Sequence, residues 1–139
     1  MTVKTLSISL ETRGNADMIN ITPQVTDSVK QAGISNGIVT LFCPSSTSAV
    51  ATIEYERGCL SDLRRLFDEI LNPERDYAHN SRWGDDNGHS HIRASLLGPS
   101  LTVPIVQGNL TLGTWQQIIY VDFDIRPRRR QIVVQVMGE

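Results

Sequence analysis

The sequence predicts a single compact α+β domain, mostly antiparallel β-sheet in a sandwich-like arrangement, with two or three helices. Three observations predict it. The chain has 139 residues, within the range of about 100–200 usual for one domain and enough to bury a core without staples. Segments with period-two or continuous apolar sequence outnumber those with helical spacing. The last four strand-like segments follow one another with turn signals between them, so they are expected to be antiparallel neighbours.

The elements follow in order. Across Val3–Leu10 the apolar residues Leu6, Ile8 and Leu10 recur every second position, a half-buried strand. Thr22-Pro23 opens a helix, with Thr as cap and Pro in the first turn; Val25, Val29 and Ala32 form its apolar stripe and Gly33 stops it. Gly37–Cys43 is nearly continuous apolar sequence, a buried strand. Pro44-Ser45-Ser46-Thr47-Ser48 interrupts it, and Ala49–Tyr55 reads as a second strand. Leu60, Leu63, Leu66, Phe67, Ile70 and Leu71 have helical spacing over Cys59–Leu71. Residues 73–90 are polar and irregular, and a loop of that length usually serves a function. Asn87 caps a short helix over Gly88–Leu97, and the rest reads as strands: Ser100–Val106, Leu110–Leu112, Trp115–Phe123 and Gln131–Met137. Ile118–Val121 and Ile132–Val136 look apolar on both faces and need more cover than one chain of this length is expected to supply.

Composition narrows the function. A hydrophobic fraction of 40% and a charged fraction of 20% exclude disorder as the main state. No apolar run approaches the roughly 18 residues that cross a bilayer, so no membrane role is expected. A net charge of -2, with no aromatics interleaved among basic residues, argues against nucleic acid. Four arginines crowd into Arg126–Arg130, expected to be a solvated loop or a set of ion pairs at a subunit contact. Cys43 and Cys59 have no CxxC spacing, so neither a zinc ribbon nor a disulfide framework is suggested. The first residues lack a signal-peptide core, and a cytoplasmic protein with reduced thiols is the simplest expectation.

All three histidines, His79, His89 and His91, lie within thirteen residues, interleaved with Asp85, Asp86 and Asn87. Three neutral imidazoles suit a divalent ion such as zinc and leave a position open for water or substrate. His89 and His91 share a metal only on extended chain, because residues i and i+2 of a helix point about 200° apart. The helix over Gly88–Leu97 therefore competes with that ligand set; a helix starting at His91 relieves the conflict. The alternative is a histidine-rich surface loop without metal. Ser45-Ser46-Thr47 offers hydroxyls and backbone N–H groups to an anionic group, or is an ordinary polar turn. Glu54 is an acid in an otherwise apolar strand, a general base or an outward-facing carboxylate. Trp115 is a stacking surface or a core residue.

These segments in this order resemble the YjbQ family, often called secondary thiamine-phosphate synthase-like. The stretches that carry the resemblance are Gly37–Cys43 with its hydroxyl-rich turn, Tyr77-Ala78-His79-Asn80, Asp85–Gly98, Ser100–Pro104, Leu112–Gln117 and Val134–Glu139. The resemblance implies a compact α+β fold, usually a homotrimer, with a polar pocket near subunit contacts. It also implies family-type histidines at His79 and His91, often a bound metal, and weak thiamine-phosphate formation in some members. The chain departs from the commonest pattern in two places: Ser45 stands where many members have histidine in the turn, and Ile53 stands where many have Asn.

Two functions are expected on this basis. The first is a metal-binding enzyme acting on a small phosphorylated or heterocyclic metabolite. His79, His89 and His91 would hold the ion, Glu54, His79 and His91 would act in catalysis, and Ser45, Ser46, Thr47, Asn87 and Trp115 would bind substrate. The second is a non-catalytic trimeric protein that binds a metabolite or metal without turnover.

Overall fold

A computed structural model describes all residues, Met1–Glu139. The strands are β1 (Thr2–Thr12), β2 (Asp17–Asn20), β3 (Gly37–Phe42), β4 (Ser48–Ile53), β5 (Ser100–Val106), β6 (Asn109–Leu110), β7 (Gln117–Asp122) and β8 (Arg128–Gly138). The helices are α1 (Thr22–Ala32), α2 (Arg57–Ile70), α3 (Ala78–Trp83) and α4 (Gly88–Leu97). One sheet has the order β1-β8-β3-β5-β6 and the other β2-β7-β4, and every pairing is antiparallel.

The two sheets enclose the main core. Val39, Leu41, Val103, Ile132, Val134 and Val136 from the larger sheet meet Val50, Ile118 and Tyr120 from the smaller one, with Val25 and Val29 of α1 along the side. The other face of the smaller sheet carries Ala49, Ile119 and Val121, which pack under Phe67 of α2 and Ala94 of α4. Burial of each large aliphatic side chain here contributes about 1.5–3 kcal/mol. Central strand β7 is thus covered on both faces within one chain, which corrects the expectation that Ile118–Val121 needs cover from elsewhere. On β8 only the inward positions are fully buried; Val133 and Met137 are partly exposed on the outer face.

The last four strands are not mutual neighbours. β5 and β6 form a hairpin, but β7 crosses to the smaller sheet and β8 lies between β1 and β3. Local turn signals report the β5–β6 hairpin; they do not report which sheet a later strand joins. The strand β2 and helix α3 arise in stretches too short and polar for a periodicity to register. Thr22 is the first helical residue rather than a side-chain cap: its Oγ1 accepts the N–H of Ile118, and Asn20 Oδ1 accepts the N–H of Thr22. Gly33 closes α1 in the left-handed conformation, with φ of 69°. Gly37 faces Gly138 across β3 and β8, where a Cβ on either would run into the opposite backbone. No helix is long and apolar enough to cross a membrane.

Candidate functional site

The candidate site forms where the two sheets are tied together at one end. β7 delivers Asp122, fully buried, with Asp124 two residues on and 2% exposed. β8 presents Arg128 and Arg130 on the same face, because alternate residues of a strand point the same way. Arg130 donates from Nε to Asp122 Oδ2 at 2.8 Å and from Nη2 to Asp122 Oδ1 at 2.9 Å. Arg128 reaches Asp124 Oδ2 from Nε at 2.9 Å and from Nη2 at 2.7 Å. Arg129, between them, turns outward to an exposed pair with Glu11 at 3.3 Å. The arginine cluster is therefore neither a loop nor a uniform solvated face. From Arg128 onward it is strand, and its alternation turns two half-buried cations onto two buried carboxylates.

The hydrogen bonds that Arg130 donates to Asp122 lead the interactions that push its guanidinium above its ordinary value, against the effect of burial. Burial alone would raise the Asp124 carboxyl. The Ile125 N–H, Arg128 and Asn87 outweigh it and hold the group below its ordinary value.

The turn between β3 and β4 lies over this network. Arg130 Nη1 donates to Ser45 Oγ at 2.9 Å and Nη2 to Thr47 Oγ1 at 2.8 Å. The Thr47 N–H donates to Ser45 Oγ at 3.2 Å, closing the turn on itself. Ser45, Ser46 and Thr47, with Asn87, His91, Asp124, Arg128 and Arg130, line an open cleft of about 390 Å³ whose one apolar wall residue is Pro44. A hollow of about 380 Å³ shares Ser45, Ser46 and His91 and is bounded by Ser48, Ala94 and Ser95.

Helix packing brings in the histidines. Gly88 opens α4 against the ring of Tyr77, where any Cβ would collide, and its N–H donates to Asn80 Oδ1 at 2.8 Å. That contact seats α3 on α4 and places the His79 ring 4.4 Å from the His91 ring, centroid to centroid, tilted by 42°. Asp85 Oδ1 lies 3.1 Å from His79 Nδ1 and orients that ring. Burial first, then the neighbouring His79, pull the His91 ring below its ordinary value, so it is held neutral. The Asn87 amide sits between two carboxylates: its NH₂ group reaches Asp85 at 3.1 and 3.2 Å in one orientation, or Asp124 at 3.4 Å in the other.

His89 does not join this pair. The helix is continuous through Gly88–Leu97, so His89 and His91 leave it on different sides. His89 is 4% exposed, tilted against Tyr77 at 6.2 Å, and its Nδ1 has no hydrogen-bond partner. A three-histidine zinc set therefore does not fit these residues, because helical geometry separates two of its members. His79 and His91 alone converge. The one group of three metal-type ligand atoms lying together is Glu54, Glu56 and Cys59. There Glu56 already caps α2 through the N–H groups of Gly58 and Cys59, at 2.6 and 2.8 Å.

Glu54 and Trp115 lie in another cleft, with Asn20, Tyr55 and Gln117, which shares no residue with the histidine cleft. Trp115 is 73% exposed, so it is not a core residue. Thus Ser45, Ser46, Thr47, Asn87 and His91 come together, with His79 reaching the cleft through His91. Glu54, Trp115 and His89 do not. The residues that sequence reasoning missed are Asp122, Asp124, Arg128 and Arg130. Their signal was present: two acids two apart, followed by arginines two apart, at the ends of strands.

Residues 6–139 match the family model described as "UPF0047 protein YjbQ-like". A UPF0047 protein of Methanothermobacter thermautotrophicus is 40% identical over 139 residues, covering 100% of this chain and 95% of that one. The UPF0047 protein YugU of Bacillus subtilis is 33% identical over 137 residues, 98% of this chain and 99% of the other. Among solved structures, a Sulfolobus solfataricus protein described as YbjQ-like and of unknown function superposes with a TM-score of 0.94 at 36% identity, covering 99% of both chains. A Clostridium acetobutylicum protein of the yjbq/upf0047 family gives 0.87 at 34% identity, over 95% of this chain and 99% of that one.

Proposed function

The chain belongs to the UPF0047 YjbQ-like family, and we propose that it binds a small phosphorylated metabolite in the cleft between the β3–β4 turn, the N-terminus of α4 and the start of β8. The observation that carries this reading is the convergence of Arg128, Ser45, Ser46 and His91 on one open, predominantly polar cleft. Arg128 is 35% exposed there while its inner edge is held by Asp124, so its outer edge is available to an anionic oxygen. The turn hydroxyls add neutral donors. The neutral His91 ring is suited to accept a proton from a bound group, and His79, fixed by Asp85, is suited to share it.

The chemistry we propose is group transfer on a phosphorylated or heterocyclic compound, of which weak thiamine-phosphate formation is the form to assay first. A second reading is a binding protein without turnover. Glu54, the expected general base, stands outside the histidine cleft, which favours that reading. Any divalent ion is assigned to His79 and His91 rather than to three histidines. The assembly we propose is a homotrimer, supported by the apolar residues Ile38, Phe42, Val133 and Met137 left partly exposed on the outer face of the larger sheet.

Calorimetric titration with phosphate esters and their dephosphorylated counterparts tests the reading. Binding that requires the phosphoryl group, and that weakens about tenfold or more in Arg128→Ala, supports it. Equal binding of both forms overturns it. Turnover assays on the compounds that bind then separate the enzyme from the binder.

A further inference from the structure

We infer that Arg130 is a positioning residue that makes Ser45 a dedicated hydrogen-bond donor to an anionic group in the cleft; this rests on the cleft being a phosphoryl site. A serine hydroxyl has one proton to donate and two positions at which to accept. Ser45 Oγ accepts from Arg130 Nη1 at 2.9 Å and from the Thr47 N–H at 3.2 Å. Both accepting positions are filled, one of them by a cation. The proton is then directed away from both donors. Its one protein contact is Thr47 Oγ1 at 3.5 Å, the outer limit of a hydrogen bond. Ser45 borders both adjoining hollows, so a ligand oxygen there meets a donor and never an acceptor.

Arg130 cannot swing away to meet the ligand itself. Its Nε and Nη2 are held by Asp122, and the same Nη2 also serves Thr47. It is 14% exposed in its side chain and acts through the turn. A lysine in its place keeps the charge beside Asp122 but presents a single nitrogen, which cannot hold one carboxylate and two hydroxyls in a fixed plane. The arrangement favours a group rich in acceptor oxygens, such as a fully ionised phosphoryl group, over one that can only donate at the same point.

The experiment is a double-mutant cycle on full-length protein, read by calorimetric titration with inorganic phosphate. Ser45→Ala and Arg130→Lys are each expected to weaken binding about tenfold, as for one hydrogen bond to a charged group. In the Ser45→Ala background, Arg130→Lys is expected to cost less than about threefold, because its effect passes through the hydroxyl that is gone. Ser45→Thr, which keeps a hydroxyl, is expected to stay within about threefold of the parent. Losses that multiply, or a Ser45→Ala protein that binds as the parent does, overturn the inference while leaving the phosphoryl reading standing. A parent that binds no phosphate overturns that reading and this inference together. Should Arg130→Lys not fold, Ser45→Thr against Ser45→Ala decides: equal losses in both overturn the donor role.

Discussion

Arg130 meets Asp122 edge to edge, with two N–H···O bonds of 2.8 and 2.9 Å joining strands from different sheets. Asp122 is fully buried and also accepts from Thr12 Oγ1 on β1. Removing one partner leaves the other charge unpaired in the interior. Asp122→Ala is therefore expected to cost about 3–5 kcal/mol in urea unfolding at unchanged slope. Arg129→Ala, one residue from Arg130 but in an exposed pair, is expected to cost less than about 1 kcal/mol. Similar losses for the two would refute the division into buried and solvated arginines.

Acid should destabilise the protein before its carboxylates titrate. Burial holds both His89 and His91 below the ordinary histidine value of 6.5. The unfolded chain therefore takes up protons first as the pH falls through that value, and each proton it binds favours unfolding. Stability from these groups is full above about pH 6.5, declines as the pH falls toward their folded-state values, and levels off below them. Asp124 acts in the same direction, but only as the pH falls below its ordinary 3.8. Urea midpoints measured from about pH 7.5 down to pH 5 should fall, and His89→Gln should flatten the decline. A midpoint constant over that interval would count against neutral buried histidines.

Metal retention should separate the histidines by geometry. In protein purified without chelator, His79→Ala and His91→Ala are expected to lower whatever divalent metal co-purifies, and His89→Ala is expected to leave it unchanged. Elemental analysis of the three variants and the parent checks this. Loss of metal in His89→Ala alone, with the fold intact by circular dichroism, would show that the converging pair is not the site.

The outer face of the larger sheet provides the test of assembly. Ile38 pairs with Met137 on one side and Pro104 on the other, and Phe42 pairs with Val133. Light scattering is expected to give the mass of three chains, and Phe42→Glu to lower it. A single-chain mass that holds across concentrations refutes the homotrimer.

By itself the sequence determined the elements whose patterns are local. The alternation of Leu6, Ile8 and Leu10, the Pro23-to-Gly33 helix, the apolar run Gly37–Phe42 and the helix Gly88–Leu97 all follow from side-chain period and from residues that start or stop a helix. It also brought forward the hydroxyl turn and the pair His79 and His91. Only the tertiary structure decided which sheet each late strand joins, because register and neighbour choice depend on contacts distant in the chain. The same holds for the site. The expected helix already set His89 against His91 as a shared ligand pair, and its packing decided that His91, not His89, meets His79. Glu54 and Trp115 looked like partners of the histidines until β4 and the segment before β7 carried them to another cleft. Arg128 and Arg130 looked like surface charge until β8 faced them toward Asp122 and Asp124. A side chain's chemistry is local, but its direction is set by the backbone that carries it, and its partners by how the sheets pack.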